Sequence, residues 1–308
     1  MIVRSMTAPR IQPSVFPPAP FPAHELLDSG HGEKLERLGP YVLRRPDPQA
    51  MWEPQLSEKE WRKRSDLVFV RESDRGGRWE ANSATTVPES WVIDLPGNQF
   101  TIRPTPFKHV GLFPEQATNW AWTAERVKDL ASKRQDSERP RLLNLFAYTG
   151  AATLMASRAG AFVTHVDSSK PAMRWARENA QISGLPSDAV RWIQDDALTF
   201  VRREVKRERV YDGVLLDPPP YGRGPDGEKW QFEEHIVELM TLVRELLAPG
   251  NAFVLLSCYA VGTSPLAFAN MLGGLGPAHI EAGELALPHT DSDRLLPAGL
   301  CGRWWRET

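Results

Sequence analysis

Carboxylates recur where successive apolar runs end in the central part of the chain. Asp167 follows one run, Asp195 and Asp196 follow the next, and Asp217 follows another. The first run of the series ends instead at the turn signal Tyr148–Gly150. Carboxylate oxygens accept hydrogen bonds from hydroxyl and amino groups, which are the groups that a nucleoside offers. The pattern predicts one polar site for a nucleoside-like ligand.

The segments that must position these residues alternate between strand-length apolar runs and runs of helical period. The predicted strands are Leu142–Phe146, Phe162–Val166, Val190–Ile193 and Val214–Leu216. Such alternation predicts a parallel sheet with crossover helices, that is, a doubly wound α/β domain. Ligands of these sheets bind beyond the carboxyl ends of the strands, so the carboxylates should meet at one rim.

The number of glycines after the first strand limits the kind of ligand. A dinucleotide site needs three glycines there, so that backbone amides can approach a pyrophosphate, and this chain offers only Gly150. A ligand without phosphate fits better, such as S-adenosylmethionine with its adenosine and positively charged sulfur. We expect Asp167 to bind both ribose hydroxyls and Asp196 to accept from the adenine amino group.

The segment Asp217-Pro218-Pro219 is the sharpest local signal. Consecutive prolines remove amide donors and fix the backbone as it leaves the strand, so the preceding carbonyls should be free to face a ligand. Asp217 should then be held at the rim. Tyr221 is expected to stack on a flat substrate.

The chain divides into three predicted parts. Residues 1–34 are proline-rich, which predicts a flexible arm. Residues 35–107 contain short strand signals separated by turns, which predict a small β-rich domain for substrate recognition. Residues 108–308 form the predicted α/β domain.

Composition excludes several classes of protein and site. Among 308 residues, Lys and Arg number 37 and Asp and Glu 39, so no strong net charge attracts nucleic acid or membrane. Cys258 and Cys301 are too few for a disulfide framework or a cysteine zinc site and indicate a reducing cytoplasm. The histidines lack metal-ligand spacing, so we expect no metal. No apolar run approaches the ~18 residues of a membrane span.

Five motifs together resemble the series found in class I S-adenosylmethionine-dependent methyltransferases. They are Asn144–Gly150, Val166–Ser169, Gln194–Ala197, Leu216–Pro219 and Leu256–Cys258. The series is most similar to the bacterial 23S rRNA methyltransferase group that includes the large-subunit 5-methylcytosine enzymes. This resemblance covers residues 108–308. It implies a Rossmann-like seven-stranded sheet whose last strand is antiparallel.

The resemblance also implies roles for individual residues. Those it assigns to the cofactor S-adenosylmethionine are Phe146, Tyr148, Thr149, Gly150, Asp167, Ser168, Asp196, Ala197, Asp217 and Pro218. Pro219 and Tyr221 would contact the substrate, and Asp217 would lie at the site of methyl transfer. The family's usual Gly-x-Phe-Leu-Asp-Gln-Arg reads Gly111-Leu-Phe-Pro-Glu-Gln-Ala117 here, so Glu115 and Ala117 depart from the pattern.

The chemistry that the resemblance favours is methylation of cytosine C5 in ribosomal RNA. Cytosine C5 is a weak nucleophile, so a thiolate must first add to C6, and the Ser-Cys motif nominates Cys258. Methylation of an exocyclic or ring nitrogen through the Asp-Pro-Pro segment is the alternative and needs no thiol. A factor that binds S-adenosylmethionine without catalysis also remains open, whereas a nicotinamide oxidoreductase fits poorly. The oligomeric state is left open.

Overall fold

The computed structural model describes residues 14–18, 21–73, 76–82, 85–134, 138–259 and 262–307. In chain order, the elements of the first part are β1 (Ser14–Phe16), β2 (His24–Gly30), β3 (Glu33–Leu38), β4 (Tyr41–Pro46), α1 (Glu58–Arg64), β5 (Leu67–Ser73), β6 (Gly76–Ala81), β7 (Trp91–Leu95) and β8 (Asn98–Ile102). Strands β2 to β6 form a five-stranded sheet in sequential order, and β7 and β8 form a hairpin.

The prediction of a flexible arm is wrong for residues 14–18 and 21–34. Strand β1 pairs with a strand near the end of the chain, and β2 pairs with β3. Leu26 and Asp28 of β2 are almost fully buried. Proline content dominated the prediction, whereas pairing with distant strands decides the structure. Residues 1–13, 19 and 20 of the predicted arm lie outside the described residues.

The second part begins with a 3-10 helix over Pro114–Gln116. The elements that follow are α2 (Ala117–Lys133), β9 (Arg141–Leu145), α3 (Ala151–Arg158), β10 (Phe162–Asp167), α4 (Lys170–Ile182), β11 (Val190–Gln194), α5 (Ala197–Lys206), β12 (Gly213–Leu216), β13 (Tyr221–Arg223), β14 (Lys229–Gln231), α6 (Phe232–Leu246), β15 (Ala252–Cys258), α7 (Pro265–Gly273), β16 (His279–Pro288) and β17 (Leu295–Arg306).

The large sheet has the strand order β1-β16-β17-β15-β12-β9-β10-β11. The five strands from β15 to β11 are parallel to one another, and the last strand, β17, is antiparallel to both β15 and β16. The predicted Rossmann-like seven-stranded sheet with an antiparallel last strand is therefore confirmed. Strand β1 extends it by pairing in parallel with β16.

Residues at the carboxyl ends of the strands also begin the helices. Gly150 precedes α3 with φ of 90°, a left-handed conformation that glycine adopts without strain. The Ser169 side chain accepts a hydrogen bond from the Ala172 amide at the start of α4. The Asp196 side chain accepts one from the Thr199 amide at the start of α5, at 2.8 Å. Helix capping thereby fixes the same rim that a ligand would contact.

Apolar residues pack on both faces of the large sheet. All seven residues of β15 are buried, as expected for an interior strand covered by helices on both sides. Within the described ranges, no helix is long and apolar enough to cross a membrane.

Asp28 generates a prediction about the stability of the first part. Its fully buried carboxylate accepts hydrogen bonds from the amides of Ser29, Gln55 and Leu56 and from the Trp61 indole, at 2.8 to 3.1 Å. Asp28→Ala would leave these four donors without an acceptor, so we expect the free energy of unfolding to fall by about 4 kcal/mol. Chemical denaturation measures this change.

The exposed Asp94 of β7 provides a matched control. Asp94→Ala should change the free energy of unfolding by less than about 0.5 kcal/mol. Equal effects of the two substitutions would show that the Asp28 hydrogen bonds do not stabilise the fold.

Candidate active site

A cavity of about 390 Å³ opens at the carboxyl ends of β9, β10, β12 and β15. Its rim residues come from the loops after these strands and from the segment before α2. They include Gly111, Phe113, Glu115, Gln116, Phe146, Tyr148, Thr149, Gly150, Asp167, Ser168, Asp217, Pro218, Pro219, Pro220, Ser257, Cys258 and Tyr259. A neighbouring recess of about 40 Å³ is lined by Asp167, Ser168, Asp196, Ala197 and Trp230, among others.

The loop after β9 has an unusual backbone. Phe146 and Tyr148 have positive φ angles of 55° and 49°, which are uncommon for residues with a side chain and are found often at functional sites. The Thr149 hydroxyl donates a 2.6 Å hydrogen bond to the Gly111 carbonyl, which ties the loop to the segment before α2. The loop is therefore held in a curve around one side of the cavity.

Asp167 lies where the cavity meets the recess. Its two oxygens accept hydrogen bonds from the Tyr148 amide at 2.7 Å and the Ser169 amide at 2.8 Å. Burial raises the pKa of the Asp167 carboxyl, and these two hydrogen bonds oppose that shift. Each carboxylate oxygen has more than one acceptor position, so Asp167 can still accept from a ligand hydroxyl.

Asp196 combines a structural contact with a place in the recess. One of its oxygens caps α5 through the Thr199 amide, and the side chain together with Ala197 lines the recess. The neighbouring Asp195 is engaged elsewhere, in an ion pair with Arg203. The second oxygen of Asp196 and the amide of Ala197 are thus the polar groups of this strand end that a flat heterocycle could use.

Asp217 is held by a chain of side-chain hydrogen bonds. The Ser257 hydroxyl donates to Oδ1 of Asp217 at 2.9 Å, and the Gln116 amide donates to the Ser257 hydroxyl at 3.1 Å and to Oδ2 of Asp217 at 3.5 Å. Asn119 in turn donates to Gln116 at 2.8 Å. Sequence reasoning did not single out Gln116 or Asn119, although Gln116 belongs to the quoted Gly111–Ala117 motif.

Asp217 is an exposed residue whose carboxyl lies on the cavity wall, where the surrounding protein atoms partly desolvate it. This desolvation raises the pKa of Asp217 to about 6, and the hydrogen bond from Ser257 opposes the shift. Asp217 can therefore gain and lose a proton close to neutral pH.

Cys258 shares the cavity wall with Asp217 but is only 2% exposed. Its Sγ donates to the Pro218 carbonyl at 3.0 Å, so this carbonyl, which was expected to face a ligand, is used within the protein. Burial raises the pKa of the Cys258 thiol far above its usual range, and the negative charge of Asp217 adds to the shift. The thiol is accordingly protonated at neutral pH in this arrangement.

The segment after Asp217 differs from the expectation for Tyr221. Pro219 and Pro220 line the cavity, whereas Tyr221 begins β13, is 51% exposed and is not among the lining residues. Pro220 lengthens the segment by one residue, so the Tyr221 ring lies beyond the edge of the cavity. An aromatic residue that sequence reasoning missed, Trp230, lies here instead.

Trp230 supports the rim from beneath. Its ring packs on Phe146 with centroids 4.8 Å apart, and its indole donates to the Pro219 carbonyl at 2.7 Å. The hairpin of β13 and β14 thus fixes both the loop after β9 and the proline segment.

Throughout the part of the chain that the structure describes, no three His, Cys, Asp or Glu side chains lie together as a metal site requires.

The chain is similar in sequence to several known proteins. Residues 121–257 match the model of a family described as conserved hypothetical protein 95. The ribosomal RNA large subunit methyltransferase K/L of Shewanella amazonensis is 31% identical over 160 residues, covering 51% of this chain and 21% of that protein. The chain thus spans about a fifth of the length of the curated relatives that it matches.

Solved structures extend the similarity to nearly the whole chain. A SAM-dependent methyltransferase from Agrobacterium tumefaciens superimposes with a TM-score of 0.86 and 35% identity, covering 95% of this chain and 93% of that one. A structure of a Streptococcus mutans protein superimposes with a TM-score of 0.68 and 15% identity, covering 92% of this chain and 75% of that one. The second match supports the fold alone.

The raised pKa of Asp217 predicts a pH-dependent gain in stability on its neutralisation. A carboxyl whose pKa is raised by folding destabilises the folded state above that pKa, and the cost disappears as pH falls toward the unfolded value. We expect Asp217→Asn to raise the free energy of unfolding by about 1 kcal/mol at pH 8, a figure reduced for solvent screening in the cavity, and not at pH 4.

Denaturation at the two pH values measures this difference, with Asp94→Asn on the exposed face of β7 as the control. A loss of stability at pH 8 would mean that the hydrogen bonds of the Asp217 carboxylate outweigh its desolvation.

Proposed function

Because this chain belongs to the S-adenosylmethionine-dependent methyltransferases, we propose that it methylates a nitrogen atom of a nucleobase in ribosomal RNA. The observation that carries the proposal is the position of Asp217. Its carboxylate faces the cavity, is oriented by Ser257 and Gln116, and lies in the same rim as Asp167.

The proposed cofactor site uses the rim on both sides of Asp167. Asp167 accepts from the ribose hydroxyls, and Asp196 with the Ala197 amide binds the adenine in the recess. The loop Phe146–Gly150, Ser168 and Pro218 enclose the rest of the cofactor. When bound, S-adenosylmethionine supplies a methyl group on a positively charged sulfur, which the nearby carboxylates favour electrostatically.

Asp217 has two tasks in the proposed reaction. As a carboxylate it accepts a hydrogen bond from an N–H of the base and so orients the nitrogen that receives the methyl group. An amino nitrogen that gains a methyl group becomes positively charged and must lose a proton. A carboxyl with a pKa of about 6 can take up that proton and release it to solvent at neutral pH.

Methylation of cytosine C5 is the competing candidate, because the Cys258 thiol lines the same cavity. That route needs a thiolate, and a second negative charge beside Asp217 would be costly in this buried setting. A nitrogen acceptor requires no such charge. The nitrogen route is therefore the better match to the described geometry.

The RNA substrate rests on the relatives named as large-subunit ribosomal RNA methyltransferases. We assign substrate recognition to the first part of the chain, whose sheet and hairpin occupy residues 24–102. Three of its arginines, Arg44, Arg62 and Arg78, are paired with glutamates, and we propose that recognition uses the shape of a folded RNA as well as charge.

Removal of the Asp167 carboxylate tests the cofactor site. Asp167→Ala should weaken S-adenosylmethionine binding by about 100-fold, because two ribose hydroxyls lose a charged acceptor. Isothermal titration calorimetry measures the dissociation constant. Glu125→Gln, an exposed change on α2, is the control and should bind like wild type. Full affinity of Asp167→Ala would exclude this placement of the ribose.

Removal of the Cys258 thiol separates the two chemistries. Cys258→Ala should retain transfer of labelled methyl groups to ribosomal RNA within about threefold, because a nitrogen acceptor needs no covalent intermediate. Mass spectrometry of the RNA nucleosides identifies the methylated atom. Complete loss of transfer in a folded Cys258→Ala protein, with 5-methylcytosine formed by wild type, would establish the C5 route instead. Cofactor binding without transfer to any acceptor would identify a non-catalytic factor.

A further inference from the structure

Glu115 is a carboxyl of the cavity wall that the proposed reaction leaves without a task. It lies in the 3-10 turn Pro114–Gln116, directly before the residue that holds Asp217. Only 7% of Glu115 is exposed, yet the residue lines the cavity together with Asp217 and Tyr259. A buried carboxyl at this position needs a physical explanation.

The Glu115 carboxylate accepts a hydrogen bond from its own backbone amide. Among the residues that the structure describes, no other residue donates to it or forms an ion pair with it. Lys34 and Arg45, two cations from the first part of the chain, are already engaged in other ion pairs. Lys34 of β3 pairs with Asp47 at 3.2 Å, and Arg45 of β4 pairs with Glu36. Both act on Glu115 electrostatically, although neither reaches ion-pair distance.

Burial dominates the electrostatics of this carboxyl. Desolvation raises the pKa of Glu115 to about 7 against the opposing charges of Lys34 and Arg45. One hydrogen bond from its own backbone amide leaves other acceptor positions of this buried carboxyl unfilled, which costs the folded protein free energy. A polar group of this kind is satisfied when a ligand brings the missing donors into the cavity.

We propose that Glu115 is a specificity-determining residue that accepts hydrogen bonds from N–H groups of the acceptor base. Asp217 accepts the hydrogen bond from the nitrogen that is methylated. The inference rests on the proposed function, since it takes a nucleobase as the acceptor. Bases that present N–H donors at this edge would be selected, because a site with an unpaired acceptor rejects analogues that lack the donor. Lys34 and Arg45 make the first part of the chain a component of this subsite.

The test uses the full chain with Glu115→Gln and Glu115→Met, and Glu125→Gln as the surface control. Wild type is incubated with S-adenosylmethionine carrying a labelled methyl group and with separate RNA, protein and small-molecule fractions of a cell extract. For the labelled fraction, we expect both Glu115 variants to lose about 30-fold or more in kcat/KM, as for loss of a charged hydrogen bond to substrate. Calorimetric affinity for S-adenosylmethionine should stay within about twofold of wild type.

Stability of the free protein gives a readout that does not depend on activity. If only its own backbone amide donates to Glu115 in the free enzyme, Glu115→Met should raise the melting temperature at pH 8, where the carboxyl is ionised. A lowered melting temperature would show a structural partner and overturn the proposal. Transfer by Glu115→Gln and Glu115→Met at the wild-type rate would overturn it as well, and so would loss of cofactor affinity.

These outcomes are separable from failure of the proposed function. Label in protein or small molecules, or in no fraction, would refute methylation of RNA. The melting temperature of Glu115→Met still decides whether Glu115 is held for a ligand. The two conclusions therefore fail independently.

Discussion

The site depends on carboxylates that lie in a cavity among protein atoms and have no ion-pair partner among the described residues. Asp167 ends β10 and Asp217 directly follows β12, and desolvation by the surrounding protein raises the pKa of each. What holds them is hydrogen bonding, from backbone amides at Asp167 and from Ser257 and Gln116 at Asp217. Such carboxylates can still accept hydrogen bonds from a ligand, whereas a bidentate arginine would occupy their acceptor positions.

The segment before α2 connects the two parts of the chain to this rim. Gly111 has φ of 94°, and a Cβ there would come within 2.2 Å of the Trp175 ring, so only glycine fits. The Gly111 carbonyl accepts from Thr149, while Gln116 reaches Ser257 and Asp217. One short stretch therefore sets the position of both the loop after β9 and the proposed catalytic carboxylate.

Local sequence patterns predicted the large sheet because strand-length apolar runs and helical stretches alternate regularly. The same reasoning placed Asp167, Asp196 and Asp217 at the rim, since parallel strands end at one edge. It could not supply contacts between distant segments. The pairing of β1 with β16 and the packing of Trp230 on Phe146 join residues far apart in the chain, and neither leaves a local signature.

The structure of the protein with S-adenosylhomocysteine bound tests the central claim most directly. The account predicts the adenine in the recess beside Asp196, the ribose hydroxyls on Asp167 and the sulfur directed toward Asp217. Electron density for the ligand anywhere else, with these three carboxylates uncontacted, would contradict it.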